Sequence, residues 1–508
     1  MVSQINSMGV WGIDAYRVTV ETSVVQGMPS FDIVGLPDAS VRESRDRVRS
    51  AMKNNGFGAV SEKVTVNLAP ADIKKVGPLY DLPMFLSLLI AEGVMDPNLS
   101  DSAFIGELSL SGEVRPVKGL LAMAVEAVRL GFKNLYVPAA DAKQAAVVEG
   151  LTVYPVENVS QLVAHLCGGE KILPQKAPDF SQQAQDKYDD FADVAGQAFA
   201  KRALEVAAAG GHNVLLIGPP GSGKSMLAKR IPSILPDMTF DEAIQTTKIY
   251  SVAGKLPDGK AMINRRPFRS PHHTVSSVAL IGGGTTPAPG EISLAHNGVL
   301  FLDELPEFPR QTLETLRQPL EDGVVSIARV SGTLTYPCNA IFVAAMNPCP
   351  CGYFGHPTQK CSCTPQAVSR YLSRISGPLL DRMDIHVEVP PVAYKELSAT
   401  EKAESSESIR QRVNAARKIQ QKRFDGSDIN CNANMTTAML KEFCELDSAA
   451  SDYLGASFEK LGMSGRAYDR ILKVSRTIAD LDGAANIEKS HIAQAIRLRS
   501  LDRKYWSI

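Results

Sequence analysis

The sequence lacks any apolar run approaching the roughly 18 residues that a membrane-spanning helix needs. Its first residues lack the basic start and apolar core of a secretory leader. It has no excess of either charge, because 54 Lys and Arg face 55 Asp and Glu, for a net charge of −1. Any nucleic-acid contact must therefore come from a local basic patch. With only two Trp in 508 residues, an extensive base-stacking surface is not expected.

Cysteine is also scarce. Eight cysteines in a chain of this length do not suggest a disulfide scaffold. Four of them crowd between Cys349 and Cys363, which is more typical of a metal site in a reducing compartment. We therefore expect a cytoplasmic protein. A hydrophobic fraction of 44% with 21% charged residues is ordinary for a globular chain, and the length predicts two or three domains.

Three regions differ in their pattern. Residues 1–165 mix strand-like and helical segments and precede a polar linker at 166–190. Residues 191–392 alternate Ala-rich helices with short strands at 213–217, 298–302 and 340–345 that are apolar on both faces, as in a parallel sheet covered by helices. Residues 393–508 show helical periodicity. The pattern predicts an α/β fold, in which a parallel-sheet core follows an α+β domain and precedes a helical lid domain.

A phosphate-binding loop follows the first of these strands and precedes a helix. Its glycines let backbone N–H groups turn toward phosphates at a helix N-terminus, Lys224 can reach the β- and γ-phosphates, and Ser225 can ligate Mg²⁺. The loop consists of Gly218, Pro219, Pro220, Gly221, Ser222, Gly223, Lys224 and Ser225. A Gly-rich turn without a ligand is the minor alternative. The motif predicts ATP binding.

Two carboxylates end the second apolar strand. Asp303 stands at the strand tip, where it can hold Mg²⁺ directly or through water. Glu304 is then placed to activate the attacking water. Paired with the phosphate loop, this motif predicts ATP hydrolysis.

The order of these motifs, with DVAGQ at 193–197 and AAMNP at 344–348, resembles an AAA+ module. The resemblance implies that Gln197 lies near the adenine and that Asn347 is the first sensor, bonded to the lytic water or γ-phosphate. It also implies a ring in which an arginine completes the neighbouring subunit's site. Arg382, after a Leu-Leu-Asp segment, is the first choice for that arginine and Arg374 the second. Arg466 in the helical region matches the second-sensor arginine.

Further motifs, RPFRSPHHT at 266–274, IGGG at 281–284 and PGEISLAHNG at 289–298, resemble the magnesium-chelatase-like branch of AAA+. With its N-terminal region, the chain resembles the ComM/YifB family throughout. That resemblance implies an ATP-driven motor, a helicase of the branch-migration type, that acts on single-stranded or branched DNA in recombination of transforming DNA. The ATPase subunit of magnesium chelatase is the alternative, although it normally lacks such an N-terminal domain.

The N-terminal region resembles the Lon-protease-like fold, also seen in a recombination ATPase of the RadA type. Leu79 occupies the place of the protease's nucleophilic serine, and the partner lysine would fall near Leu121, with Lys118 close by but off the matching position. Because leucine has no nucleophile to activate, we expect a non-proteolytic scaffold that serves ring assembly and DNA guidance.

The clustered cysteines form two C-x-C pairs separated by nine residues. Four thiolates suit tetrahedral Zn²⁺, although the spacing differs from the commoner C-x₂-C, and His356 offers a substitute ligand. The zinc ligands would be Cys349, Cys351, Cys361 and Cys363. Reduced structural cysteines are the alternative, and an iron–sulfur cluster is a distant third.

A basic segment lies between the phosphate loop and the Asp303 strand, where AAA+ rings often insert pore-facing loops. Its cations could follow a phosphate backbone without reading sequence; a solvated loop is the alternative. The candidates are Lys248, Lys255, Lys260, Arg265, Arg266 and Arg269, followed by His272 and His273, which could instead hold the shape of the loop. A second candidate is a predicted hairpin at 324–335 with Arg329 at its bend.

Together these patterns predict a homohexameric, ATP-driven DNA motor. The alternatives are a metal-insertion motor of the chelatase type and a chaperone-like AAA+ remodeller of protein complexes.

Overall fold

The computed structural model describes residues 2–58, 62–178, 189–257, 259–284, 287–329, 332–356, 358–392, 396, 403–461, 463–499 and 505–506. The chain divides into two compact units. The first comprises Met1–Gln183 with Phe240–Asn264, and the second comprises Ala184–Thr239 with Arg265–Ile508.

The N-terminal stretch contains strands and helices in mixed order. In chain order these are β1 (Val2–Trp11), β2 (Asp14–Val25), β3 (Ser30–Val34), α1 (Ala39–Asn54), β4 (Lys63–Ala69), α2 (Asp81–Ala91), β5 (Ser102–Phe104), β6 (Glu107–Leu108), β7 (Val114–Arg115), α3 (Leu120–Arg129), β8 (Asn134–Pro138), α4 (Ala142–Ala145), β9 (Thr152–Val156) and α5 (Val159–Leu166).

The next stretch alternates helices with strands. It contains α6 (Ala198–Gly210), β10 (Val214–Ile217), α7 (Lys224–Ile234), α8 (Phe240–Ala253), β11 (Phe268–Arg269), α9 (Ser277–Ile281), β12 (Gly282–Gly283), β13 (Ala288–Pro289), α10 (Glu291–Leu294), β14 (Val299–Leu302), α11 (Arg310–Glu314), α12 (Arg317–Asp322), β15 (Val324–Arg329), β16 (Gly332–Pro337), β17 (Ile341–Met346), α13 (Pro365–Leu372), α14 (Gly377–Leu380) and β18 (Ile385–Glu388).

Every longer element that the structure describes beyond residue 391 is helical. These helices are α15 (Ser406–Arg423), α16 (Thr437–Phe443), α17 (Ser448–Leu461), α18 (Gly465–Leu481) and α19 (Lys489–Arg497). Short 3₁₀ turns lie at Pro78–Tyr80, Phe191–Asp193, Leu305–Glu307 and Asn432–Asn434.

The first unit is an α+β domain built around a buried helix. Its main sheet has the order β1-β2-β4-β3, in which β3 pairs parallel to β4 and the other pairs are antiparallel. A second, parallel sheet has the order β5-β8-β9. Helix α2 packs on β1 and β2 and is buried around almost its whole circumference, as its continuous apolar sequence requires.

Helix α8 belongs to this first unit, although the sequence pattern placed residues 191–392 together as the ATPase core. Ala261 packs into a small apolar cluster with Leu121 and Val147, and Ile244 of α8 covers it. The ammonium group of Lys248 lies 3.6 Å from a carboxylate oxygen of Asp14. The expected boundary therefore needs a correction, because apolar side chains of 240–264 are buried in the N-terminal domain.

The second unit is organised by a five-stranded parallel sheet with the order β11-β14-β17-β10-β18. Side chains of β10 alternate between the two faces of this sheet. Val214 and Leu216 pack with α6, α7 and the C-terminal helices, whereas Leu215 and Ile217 pack in a separate cluster on the other side. The predicted parallel-sheet core, covered by helices, is confirmed.

The C-terminal helices share the apolar core of one sheet face. Val413 of α15, Ile478 of α18 and Ile492 of α19 are buried in the same cluster as Val214. A fully buried Asp480 accepts two hydrogen bonds from Arg423, at 2.6 and 2.8 Å, and one from Arg476. Ion pairing thus joins the lid helices to one another, and apolar packing holds them against the sheet.

Candidate active site

The sheet order brings the three motif-bearing strands side by side. β17 lies between β10 and β14, with Leu302 opposite Ala344 and Leu216 opposite Ala345. Because all three strands run parallel, their carboxyl ends meet at one edge. The phosphate loop, Asp303 and Asn347 follow those ends and therefore gather in one place.

Lys224 lies at the centre of this edge and is 92% buried, with 8% of its surface exposed. Its ammonium group donates hydrogen bonds to the carbonyls of Gly218 and Pro219, at 2.8 and 2.9 Å, and to Oδ1 of Asn347 at 3.1 Å. Burial lowers the pKa of Lys224 to about 8, against the opposing effect of the negative charges of Asp303 and Glu304. Phosphate oxygens would supply the negative charge that this group lacks.

Ser225 and Asp303 face each other across the site. The Ser225 hydroxyl donates to Oδ2 of Asp303 at 2.5 Å. A hydroxyl beside a carboxylate is a pair of hard oxygen ligands of the kind that Mg²⁺ accepts together with nucleotide phosphates. These two residues therefore fit the expected magnesium ligands.

Glu304 is held in a left-handed backbone conformation, with φ of 52°. Its N–H donates to Oδ1 of Asp303 at 3.0 Å, and its side chain is 60% exposed. Nδ1 of His273 lies 3.6 Å from the Glu304 carboxylate, and the rings of His272 and His273 are 4.0 Å apart. The conformation directs the carboxylate away from the strand, toward the loop that follows β11.

Gln197 lies beside the phosphate loop. It too has a left-handed backbone, with φ of 56°. Its side-chain amide donates to the carbonyl of Ser222 at 3.3 Å and to that of Pro390 at 2.6 Å. Gln197 therefore joins the loop to the segment that follows β18.

The three arginines expected from the AAA+ pattern have different surroundings. Arg382 is 11% exposed and donates to the carbonyls of Arg317 and Pro378 and to the carboxylate of Glu321. Arg374 is 51% exposed and donates to the carbonyl of Pro306 and to Glu307, both at 3.1 Å.

Arg466 begins helix α18. Its side chain is 67% exposed, and its guanidinium lies 3.8 Å from a carboxylate oxygen of Asp381. It is thus the least constrained of the three.

The four clustered cysteines come together in space. Their sulfur atoms all lie within 4.8 Å of one another. Cys349 Sγ is 3.3 Å from Cys351 Sγ and 3.8 Å from Cys361 Sγ, and the latter two are 3.5 Å apart. A tetrahedral zinc with bonds of about 2.3 Å separates its sulfurs by about 3.8 Å. The donor set therefore fits a structural Zn²⁺, and His356 lies outside it.

The basic segment is divided between the two units. Lys248, which is 16% exposed, and the exposed Lys255 and Lys260 lie in the first unit. Arg265, Arg266 and Arg269 lie in the second. The structure does not gather them into one insert.

Two of these arginines make contacts that shape the fold of the second unit. Arg266 donates to the carbonyls of Pro236, Asp237 and Asn297. Arg269 forms a bidentate ion pair with Glu291, with N···O distances of 2.6 and 2.8 Å. The predicted hairpin is present as β15 and β16, whereas the side chain of Arg329 lies outside the described residues.

Sequence reasoning missed the contact between the cysteine loop and the phosphate loop. Gly352 has φ of +85°, and a Cβ built on it would lie 2.4 Å from Cδ of Pro220. A glycine directly after C-x-C is the only signal that the sequence offers. The hydrogen bond from Lys224 to Asn347 and this close approach hold the cysteine loop against the ATP site at two points.

Comparison with known proteins gives matches along the whole chain. Three family models match: "Magnesium chelatase, subunit ChlI" at residues 190–397, "Subunit ChlI of Mg-chelatase" at 20–141 and "Magnesium chelatase, subunit ChlI C-terminal" at 403–499. The uncharacterized protein YifB of Escherichia coli (strain K12) is 42% identical over 99% of this chain and 98% of its own length. The competence protein ComM of Haemophilus influenzae is 42% identical over 97% of this chain and 96% of its own. The chain belongs to the ComM/YifB family of magnesium-chelatase-like AAA+ proteins.

A partial match points to another group of proteins. The DNA repair protein RadA of Bacillus subtilis is 35% identical over 97 residues, which are 19% of this chain and 21% of that protein. Membership in the ComM/YifB family implies ATPase activity with ATP and Mg²⁺, in agreement with the strand-end cluster. Among the residues that the structure describes, no helix is both long and apolar enough to cross a membrane.

The Gly352 contact predicts an effect on nucleotide binding. Gly352→Ala would push a methyl group into Pro220 and strain a left-handed backbone, so we expect ATP affinity to fall several-fold, measured with a fluorescent ATP analogue. Gly426→Ala is the control, because Gly426 has φ of +78° and a Cβ there would meet nothing within 4 Å. Both variants should lose about 1–2 kcal/mol of stability. Equal ATP affinity in the two variants would show that the contact does not shape the phosphate loop.

Proposed function

We propose that this protein is an ATP-driven motor that moves branched or single-stranded DNA during homologous recombination of incoming transforming DNA. The observation that carries the proposal is the full-length similarity to a protein named for competence, in a chain with the ATP-site residues assembled at one sheet edge. The partial similarity to a DNA repair protein supports the same class of substrate.

Each residue of the cluster has a proposed part in hydrolysis. Lys224 binds the β- and γ-phosphates in place of its present carbonyl partners, and the loop glycines present N–H groups to them. Ser225 and Asp303 would hold Mg²⁺, which would neutralise phosphate charge. Glu304 accepts the proton of the attacking water. Asn347, already bonded to Lys224, orients that water or the γ-phosphate.

Gln197 and Arg466 complete the proposed nucleotide site. Gln197 bridges the phosphate loop and the segment after β18, where a purine ring would pack. Arg466 starts the first turn of α18 with most of its side chain exposed, so it can reach a phosphate as the second sensor.

We further propose that the chain assembles into a hexameric ring in which one subunit's arginine completes its neighbour's site. The contacts favour Arg374 for this role over Arg382. Arg382 uses Nε and both terminal nitrogens within its own chain, so it would have to break three interactions to reach a neighbour. Arg374 has half of its side chain exposed and rests on a surface carboxylate.

The proposed DNA contacts are the predicted cations with exposed side chains, together with the hairpin. Lys255 and Lys260 are exposed, and the β15–β16 hairpin carries Arg329 at its bend. Arg266 and Arg269 are assigned to the fold instead, because their partners are backbone carbonyls and the partly buried carboxylate of Glu291. Arg265, Lys248 and the two histidines remain secondary candidates.

A metal-insertion motor is the second candidate function, favoured by the three chelatase family models. It requires a porphyrin-binding partner to stimulate ATP turnover, whereas a DNA motor responds to DNA. A protein remodeller would respond to neither.

The proposal predicts that forked or single-stranded DNA raises the rate of ATP hydrolysis several-fold, measured by phosphate release. Glu304→Gln should bind ATP normally and lose turnover by at least about 100-fold, because the water loses its base, and DNA should not restore it. Glu459→Gln, the same change at an exposed carboxylate of α17, is the control. DNA-independent turnover together with stimulation by a porphyrin-binding partner would replace the DNA motor with the chelatase function.

The cysteine cluster is proposed to hold one structural zinc per chain. Metal analysis of protein purified without chelator should therefore give about one zinc per chain, and the double variant Cys349→Ser/Cys361→Ser should give none. The double variant should also melt at a lower temperature, since structural zinc contributes to folding. Cys167→Ser, at an exposed thiol, is the control. Metal-free wild-type protein with normal stability would leave the cluster as reduced thiols.

The choice of arginine is tested by mixing variants. Arg374→Ala should bind ATP and keep its melting temperature but lose turnover, and mixing it with Lys224→Ala should restore part of the activity, because the two defects lie in different halves of a shared site. Arg382→Ala should lower the melting temperature, because it removes the donor to the backbone carbonyls of Arg317 and Pro378. If Arg382→Ala restores activity when it is mixed with Lys224→Ala and Arg374→Ala does not, Arg382 is the arginine that completes the neighbouring site.

A further inference from the structure

Helix α1 of the N-terminal unit carries four exposed cations on one face. Arg42, Arg45, Arg49 and Lys53 follow one another at intervals of three, four and four residues, which align side chains along a helix. The opposite face is buried through residues that include Val41, Val48 and Met52. We call these four cations the α1 stripe.

The helix that carries the stripe is firmly held. Its N-cap residue, Asp38, accepts a hydrogen bond from the N–H of Val41 at 2.8 Å. Arg47, the fifth cation of the helix, is only 16% exposed and pairs with the fully buried Asp81 at 2.6 Å. The structure therefore separates one cation that supports the fold from four that face outward.

The charge of the stripe is not balanced locally. Asp46 pairs with Arg45 at 3.1 Å, and the nearby Glu43 approaches Arg47 instead, at 3.8 Å. Asp32 also acts on Arg45, so four cations against these two acids leave a net charge of about +2 along the stripe, in a chain whose overall charge is −1. Such a concentration on a chain without a basic bias is the footprint expected of a polyanion site.

The dimensions of the stripe suit a nucleic-acid backbone. Eleven residues of helix separate Arg42 from Lys53, which is about 16 Å. One strand of a DNA duplex presents a phosphate every ~3.4 Å along its axis, so the stripe spans about five phosphates. Four cations along such a span can each approach a different phosphate.

We propose that the α1 stripe binds the phosphate backbone of DNA, and thus that the N-terminal unit contributes directly to DNA binding. The identification of DNA as the ligand rests on the proposed function, whereas the identification of the site rests on the placement of these four side chains. Because only phosphates are contacted, the stripe binds all base sequences equally. The stripe includes none of the cations of 248–273.

The test compares two full-length variants with equal loss of charge. The stripe variant is Arg42→Gln/Arg45→Gln/Arg49→Gln/Lys53→Gln, in which glutamine preserves helix propensity. The control removes four exposed cations elsewhere on the same unit and is Arg115→Gln/Arg129→Gln/Lys133→Gln/Lys143→Gln. The dissociation constant for fluorescein-labelled forked DNA is measured by anisotropy across a series of NaCl concentrations.

We expect the stripe variant to flatten the slope of log affinity against log salt by about one unit per lost contact, hence by about three to four units. The control should keep the wild-type slope. Arg42→Gln/Lys53→Gln should give about half of the effect, which provides a measurement if the fourfold variant folds poorly.

The outcomes separate the two proposals. If the wild type binds DNA and the stripe variants match the control, the stripe assignment is wrong and the DNA motor stands. If the wild type binds no DNA under any salt condition, the proposed function is wrong, and so is the proposal that the stripe binds DNA.

Discussion

The ATP site depends on one desolvated ammonium group. The hydrogen bonds of the buried Lys224 go to groups with only partial charges, on Gly218, Pro219 and Asn347, and they join the phosphate loop to the end of β17. Because burial already lowers its pKa to about 8, the site is electrostatically incomplete without an anion. The alignment of β10, β14 and β17 brings the phosphate loop, Asp303 and Asn347 close to the Lys224 ammonium group. The sheet register and the charge of Lys224 therefore define the site together.

The sequence was sufficient for the parts that are encoded locally. Strands β10, β14 and β17 are apolar on both faces, and each ends in a motif, so their identity and the clustering of Lys224, Asp303 and Asn347 could be predicted without long-range contacts. The helical nature of the C-terminal region and the hairpin β15–β16 followed from periodicity. The cysteine pairing also followed from spacing, since C-x-C pairs place sulfurs close together.

What the sequence could not provide depends on partners distant in the chain. The sequence pattern alone groups Arg269 with the DNA-binding cations, but the structure shows that its Nε and one terminal nitrogen donate to the carboxylate of Glu291. Likewise, helix α8 lies between two ATP-site motifs, yet the apolar residues around it pack on α3. In both cases the composition of the segment was read correctly, and a tertiary contact decided its role. The α1 stripe illustrates the converse, because Arg47 and Arg49 differ in role although both are helical arginines.

A buried polar network links the helical lid to the parallel sheet near the arginine motifs. Asp384 accepts from the backbone of Asn213, at the start of β10, and pairs with Arg470 of α18 at 3.1 Å. Burial opposes the charge of Asp384, yet Nδ1 of His212, 3.4 Å from its carboxylate, and the charge of Arg470 hold its pKa well below the usual range. Because Arg470 lies one turn after Arg466, a helix that moved Arg466 toward a nucleotide would also pull on Asp384. Since Asn213 also donates to the carbonyl of Arg382, the lid, the first strand and the loop after α14 have to shift together.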